Sequence, residues 1–225
     1  MPSEFSRRPK LLKGALVAYE PDFLGAVPNV IVFQYNPVEL RRTLGKRRPR
    51  GDNDDAGEAR EETQRVLGPP KEDIKCTVEL DAADQLDEPA SHPTLVASGL
   101  HPALAAMELL LYPSESQVML NRPLAQAGTA SITSETLPLV LFIWGVRRIV
   151  PVKLTNFTIT EQAFDQALNP IRAEVELGMR VLTYLELQET SLGYNAYLAT
   201  QLQKEALARL NLVSSAEQIL GMMPF

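Results

Sequence analysis

Two long segments with alternating apolar and polar residues, joined by a turn at residues 166–170, constrain the fold most strongly. Side chains of a β-strand point alternately to two faces, so each segment is expected to bury one face and expose the other. The second segment alternates Ile171, Ala173, Val175, Leu177, Met179 and Val181 with Arg172, Glu174, Glu176 and Arg180. The first alternates Val150, Val152, Leu154, Asn156, Thr158 and Thr160 with Ile149, Lys153, Thr155, Phe157 and Ile159. The pattern predicts a half-buried antiparallel sheet.

Shorter signals complete a mainly β fold of the α+β class. Further strands are predicted over residues 11–19, 29–35, 38–44, 74–80 and the nearly all-apolar 137–145. Helices are predicted over residues 101–112, which flank the sheet, and over 191–211 at the C-terminal end. Residues 45–71 and 113–136 are predicted to be variable loops, the first of them mobile. We expect a β domain over residues 1–188 and a helical extension with an apolar tail over 189–225.

Composition narrows the possible partners and compartment. There are 28 acidic and 22 basic residues and a formal net charge of −6, which argues against a surface devoted to nucleic acid. The single cysteine, Cys76, excludes an internal disulfide and favours a reducing compartment. The N-terminal residues lack the apolar run of a signal peptide, and the longest apolar run, residues 137–144, is too short for a membrane helix. We therefore expect assembly in the cytoplasm without direct membrane insertion.

The chain carries no recognisable catalytic or metal-binding motif. It has no nucleophile elbow, phosphate-binding loop or dinucleotide fingerprint. His92, His101 and Cys76 do not match a zinc spacing, and the acidic run at residues 52–57 lacks the later ligands of a calcium loop. Asp81, Asp84 and Asp87 follow a strand and are expected to cap a turn. The sequence predicts no catalytic residue, no metal site, no cofactor and no enzymatic activity.

One charge run and several aromatic residues admit two interpretations. A basic run is followed at once by an acidic run, which favours a solvated loop; the alternative is a contact between subunits made in complementary halves. The basic residues are Arg41, Arg42, Lys46, Arg47, Arg48 and Arg50, and the acidic ones are Asp52, Asp54, Asp55, Glu58, Glu61 and Glu62. The aromatic residues are interpreted as core residues: Phe33, Tyr35, Trp144 and Phe157.

Three motifs, in order, resemble one family. Residues 30–40, VIVFQYNPVEL, are similar to its Phe-x-Phe-Asn-Pro-x-x-Leu element; residues 139–145, LVLFIWG, resemble its Pro-x-x-x-Phe-x-Trp-Gly strand. Residues 169–175, NPIRAEV, resemble its Gly-x-Pro-x-Arg-Ala-x-Val turn and strand. The family is the tube-type N-terminal domain of baseplate hub proteins in contractile injection systems, and the resemblance covers about residues 11–187. On this basis Asn36, Pro37, Pro170 and Arg172 join the residues expected to matter for the fold.

The resemblance implies a phage tail-tube-like β-sandwich or split barrel. It also implies a homohexameric ring between a trimeric spike and the inner tube or a tube-initiator protein, contacting baseplate wedge proteins in a phage-tail-like particle that is retained or released. Many relatives carry a LysM module, and the residues after Glu189 are too few and too helical to form one. Peptidoglycan binding is therefore not expected.

The residues expected at interfaces lie on the polar face of the last strand and in the C-terminal segment. Tyr194, Leu198, Leu202, Ala206 and Leu210 recur every fourth residue and form a narrow apolar stripe, which either docks on a neighbour or folds back on the sheet. The interface candidates are Glu174, Glu176, Arg180, Leu198, Leu202, Leu210, Met222 and Phe225. The alternative to a ring component is a monomeric β-barrel that binds a ligand or acts as an enzyme.

Overall fold

Seven strands form one antiparallel sheet in the computed structural model, which describes residues 12–19, 28–47, 68–113, 119 and 136–222, with side chains up to residue 212 in its last helix. The strands are β1 (Ala15–Tyr19), β2 (Asn29–Val32), β3 (Leu40–Gly45), β4 (Lys71–Asp81), β5 (Leu139–Ile143), β6 (Ile149–Phe164) and β7 (Pro170–Val181), in the sheet order β2-β1-β5-β6-β7-β4-β3. The helices are α1 (Ala83–Leu86), α2 (Pro93–Ser98), α3 (His101–Glu108), which continues as a 3-10 turn over Leu109–Leu111, and α4 (Leu192–Met222). The predicted mainly β class is confirmed.

The β6–β7 hairpin is the longest feature of the sheet and carries a bulge that the sequence did not indicate. Leu154 pairs with Met179 and Asn156 with Gly178, so Thr155 is an extra residue on β6. Because an extra residue reverses the alternation of the side chains, Phe157 and Ile159 share the core face with Leu154. The prediction that Asn156, Thr158 and Thr160 lie on the face of Val150 is therefore wrong.

The hairpin turn is held by one carboxylate. Asp165 Oδ1 accepts hydrogen bonds from the backbone N–H groups of Ala167 (2.7 Å) and Asn169 (2.8 Å), and Oδ2 accepts one from Asn169 Nδ2 (2.8 Å). These bonds lower the pKa of Asp165, that from the Asn169 side chain most. Leu168 has a φ of 66°, which a side-chain carboxylate bridging the turn helps to hold. Pro170, the first residue of β7, is buried, and its carbonyl accepts a hydrogen bond from Leu100 N–H just before α3.

The sheet is curled. Gln34, two residues after β2, donates a side-chain hydrogen bond to the carbonyl of Asp81 at the end of β4 and accepts one from Asp81 N–H at 2.9 Å. In the sheet order β2 and β4 are five strands apart, which in a flat sheet is about 24 Å at ~4.8 Å per strand. Direct bonding across that span requires a curl, as in the split barrel that the family resemblance implies.

One apolar core lies inside the curl and extends under α3. Phe142 stacks on Trp144 at 6.0 Å and lies 6.5 Å from Phe33, and both phenylalanines are fully buried. Leu104, Met107 and Leu110 join this core from α3 and the 3-10 turn. β5 is buried on both faces, as its apolar sequence predicts. These are the fully or nearly fully buried residues of β5: Val140, Leu141 and Phe142.

Two predicted core or fold residues lie elsewhere. Tyr35 is 44% exposed, because β2 ends at Val32 and the chain bends before the tyrosine. Asn36 is exposed, and its side chain joins the residues after β2 to the segment before β1. Its Oδ1 accepts a hydrogen bond from Gly14 N–H and its Nδ2 donates one to the Leu12 carbonyl, both at 2.9 Å. Trp144, Phe157 and Pro37 are partly buried.

Several predicted boundaries also change. Three short helices, rather than one, lie within residues 82–113, with Pro93 as the first residue of α2 and Pro102 in the first turn of α3. Lys71, placed in a loop, begins β4, while residues 48–67 and most of 113–136 lie outside the described residues. The C-terminal helix runs on to Met222.

Candidate interaction surfaces

The residues with chemical potential are dispersed. Cys76 lies on the core face of β4, and burial raises its pKa to about 11. His92 caps α2 and His101 begins α3. Within the described ranges no three histidine, cysteine or carboxylate side chains converge on a possible metal position. Asp81 does cap a turn, because its Oδ1 accepts a bond from Ala83 N–H at 2.8 Å, while the acidic run from residue 52 lies outside the described residues.

The convex side of β3, β4, β7 and β6 forms a continuous polar surface, the outer sheet face. Its members are Arg41, Thr43, Lys71, Asp73, Lys75, Thr77, Glu79, Asp81, Lys153, Thr155, Asn156, Thr158, Thr160, Gln162, Arg172, Glu174, Glu176, Gly178 and Arg180. It carries charges of both signs, in opposite-charge pairs such as Asp73 with Arg180 and in like-charge pairs such as Glu79 with Glu174, and no apolar side chain lies among these described positions. Glu176 and Arg172 are exposed, whereas Glu174 and Arg180 are partly buried.

A shallow depression interrupts the outer sheet face at Gly178. It measures about 280 Å³ and is lined by Arg41, Lys75, Asn156, Glu176 and others. Gly178 faces the β6 bulge, and a Cβ atom there would meet Asn156 Cβ at 2.9 Å. The glycine therefore lets the bulged strand lie close to β7. The depression is open and below the usual 300–1,000 Å³ of ligand pockets.

Ion pairs fasten the ends of this surface. Glu186 Oε1 lies 3.1 Å from Arg180 Nη2, and Glu186 Oε2 lies 3.6 Å from Arg47 Nη2. Burial by itself raises the pKa of Glu186. The hydrogen bonds from the Thr183 N–H and hydroxyl, together with the two arginines, outweigh the effect of burial, so the pKa of Glu186 is lowered overall. Arg172 lies 3.8 Å from Asp81 at the opposite end.

The two edges of the sheet are β2 and β3, which are consecutive in the chain. On β2, Val30 and Val32 are each 53% exposed, and on β3 Leu44 is equally exposed. Neither strand has a second neighbour among the described strands. Helix α3 lies against the start of β2, where Asn29 Nδ2 donates to the Ala106 carbonyl; the part of an edge that stays uncovered is a template for pairing with another chain.

Helix α4 packs on the sheet through small and polar residues. A Cβ atom on Gly193 would lie 3.1 Å from Leu139 Cδ1, which puts the first turn of α4 against β5. The Thr200 hydroxyl donates to the Ile149 carbonyl at 2.8 Å, and Tyr197 is buried 6.1 Å from the Tyr184 ring. These contacts leave the predicted leucine stripe on the other side of the helix.

A buried carboxylate completes the attachment of α4. Glu72, 6% exposed, accepts from Arg42 at 2.6 Å and lies 3.4 Å from Lys204 Nζ. Arg148 lies nearby, and its pKa is lowered first by burial and then by the Arg42 charge, against the opposing effect of Glu72. Lys204 is the last residue of α4 whose described side chain is not exposed.

The predicted interface leucines lie in solvent. Leu198 is 37% exposed, and Leu202 and Leu210 are each 67% exposed. Met222 ends the helix but its side chain, like the whole of Phe225, lies outside the described residues. The helix itself folds back on its own sheet, as one of the two alternatives has it, but through Tyr197 and Thr200 rather than through these three leucines.

A second concavity of about 290 Å³ lies among the three short helices. Leu95, Leu100, Pro102 and His92 are among its lining residues, which are largely apolar. It brings no group of titratable side chains together. We assign it no chemistry.

Comparison with known proteins adds no identity. No family model matches the chain, and no curated protein matches it at a significant level. Among the described residues, no helix has the length and apolar content needed to cross a membrane.

Proposed function

We propose that this chain is a structural ring subunit of a phage-tail-like contractile injection system. Six copies form a ring in the baseplate hub and join the trimeric spike to the inner tube or a tube-initiator protein. Baseplate wedge proteins contact the ring from outside. The three family-like motifs motivate this proposal, and the outer sheet face is the observation that carries it.

The outer sheet face suits the wall of a channel. It spans four strands with threonine, asparagine and interspersed charges of both signs. Such a surface stays hydrated, and mixed charges give neither a strong attraction nor a strong repulsion for passing cargo. The ordinary role of a polar sheet face is to meet solvent, and a channel interior is one such solvent-filled setting.

The open edges supply the means of joining copies. Exposed valines on β2 and the exposed Leu44 on β3 place an apolar edge at each end of the same sheet. A head-to-tail contact between two different surfaces closes into a ring when the rotation permits. Ring closure would cover both edges at once.

The proposal is tested by placing a charge on the β2 edge. In Val32→Lys the added cation meets the neighbouring copy, whereas Val146→Lys adds the same charge at the exposed turn before β6, where 72% of the valine is accessible. Each variant is co-expressed with the spike and inner-tube proteins of the proposed particle, and a tag on the spike is used for purification.

The two variants are expected to differ in assembly but not in melting temperature. Val146→Lys should co-purify with spike and tube as the wild type does, and Val32→Lys should be lost from the complex. Equal recovery of both variants, or failure of the wild-type chain to bind spike and tube, contradicts the proposed role.

A further inference from the structure

Helix α4 contacts the sheet mainly through small and polar residues, with Tyr197 as its buried aromatic side chain, and leaves several leucines in solvent. The side that contacts the sheet carries Gly193, Thr200 and Lys204. Since successive residues of an α-helix are rotated by about 100°, Leu202, two residues from both Thr200 and Lys204, lies on the far side. Leu198 and Leu210 share that side and are exposed with it. We call Leu198, Leu202, Ala206 and Leu210 the leucine face.

The described part of α4 after Lys204 is exposed to solvent. All described side chains from Glu205 to Leu212 are exposed, and the helix continues to Met222. The 18 residues after Lys204 correspond to about 27 Å of helix at 1.5 Å per residue. Most of the stability of a helix in a protein comes from tertiary packing, so a partner that covers the leucine face would stabilise this segment.

The charges beside the leucine face indicate which partner fits. Glu205 and Arg209 are one turn apart, and neither has an ion-pair partner within the described part of the chain. In an antiparallel pair of identical helices crossing near Ala206, Leu202 of each copy lies beside Leu210 of the other. The same arrangement brings Glu205 of each copy within reach of Arg209 of the other, which gives two ion pairs between the copies.

Ala206 at the crossing point favours close contact of the two helices. A small side chain there permits the interaxial distance of 8–10 Å at which leucines from the two helices interdigitate. A two-fold contact of this kind uses one patch on both copies. This self-complementarity is what a second copy supplies and an unrelated partner does not.

We propose that α4 pairs antiparallel with α4 of a second copy of this chain through the leucine face. The contact is separate from the head-to-tail contacts of the proposed ring, because a two-fold contact cannot also be head-to-tail. If the ring forms, the α4 pairing joins two rings and doubles their mass. If it does not, the pairing gives a dimer.

Charge reversal tests the pairing in the full-length protein. Glu205→Arg gives α4 two cations at these positions, and Arg209→Glu gives it two carboxylates, so each variant opposes its own pairing. Mixed in equal amounts, the two variants restore the match between unlike copies. Leu202→Glu removes the apolar contact, and Asn211→Asp, on the exposed helix surface away from the leucine face, is the control for added negative charge.

Molecular mass measured by light scattering is the readout, with circular dichroism to confirm that each variant is folded. The mass of wild type and of Asn211→Asp should be halved in Glu205→Arg, Arg209→Glu and Leu202→Glu, and the mixture of the two charge variants should recover it. An equal mass for the wild type and all of these variants overturns the pairing. So does a mixture that stays at half mass. If the ring does not form, the α4 substitutions still change the mass by a factor of two. Failure of the ring proposal is therefore distinguishable from failure of the α4 pairing.

Discussion

Replacing Phe33 by alanine should destabilise the protein far more than the same change at Tyr35, two residues later. Phe33 is fully buried, whereas Tyr35 is 44% exposed. Burying a phenylalanine removes about 200 Å² from water, which at ~25 cal/mol per Å² is about 5 kcal/mol. Phe→Ala changes in cores cost about 3–5 kcal/mol, so we expect a loss of about 4 kcal/mol for Phe33→Ala and about 1 kcal/mol or less for Tyr35→Ala.

Urea unfolding followed by tryptophan fluorescence measures both values, since Trp144 is the only tryptophan and stacks on Phe142 in the same cluster. For a chain of this size the loss at Phe33 corresponds to about 8–16 °C in Tm. Circular dichroism gives an independent estimate and checks that the fluorescence change reports global unfolding. Equal destabilisation by the two substitutions would refute the placement of Phe33 inside the curl and Tyr35 outside it.

Three further predictions follow from single contacts. Gly14→Ala places a methyl group 2.8 Å from ring carbons of Phe33 and Trp144. The substitution should lower the free energy of unfolding by about 1–3 kcal/mol and shift the fluorescence emission of Trp144. An unchanged emission spectrum would contradict this packing. The lowered pKa of Glu186 stabilises the fold above the ordinary glutamate pKa, and that stability is lost as the pH falls through the folded-state value. Glu186→Gln should therefore lose stability near neutral pH and show a flatter acid dependence in chemical unfolding; an identical pH profile argues against the effect. Cys76, with a pKa of about 11, should resist a thiol reagent at pH 8 in the folded protein and react in urea, and fast labelling of folded protein would contradict its burial.

The sequence correctly predicted those strands in which the alternation of apolar and polar residues is uninterrupted. In β7 the apolar residues Ala173, Val175, Leu177, Met179 and Val181 are buried where the period of two places them. The bulge on β6 could not be predicted from the sequence. Thr155 lies among polar residues, so the sequence pattern looks the same whether or not an extra residue exchanges the two faces of the strand. Tyr35 was misplaced for a related reason: alternation with Phe33 assumes a strand that continues, and β2 ends at Val32.

The surfaces were harder to predict than the core. The leucine stripe of α4 was visible, but periodicity gives the relation of side chains to one another and not the side that meets the sheet. That side is set by Gly193, Tyr197 and Thr200, whose contacts depend on residues distant in the chain. The Arg47–Glu186 pair likewise joins positions 139 residues apart and left no local pattern to detect.

The number of copies in the assembled particle tests the central claim most directly. Native mass spectrometry of the full-length protein, purified with the proposed spike and inner-tube partners, counts the subunits of this chain bound per spike trimer. The account predicts six copies per trimeric spike, or twelve where α4 pairing joins two rings, and six-fold symmetry in negative-stain averages. A single copy, or three copies following the symmetry of the spike, contradicts the ring.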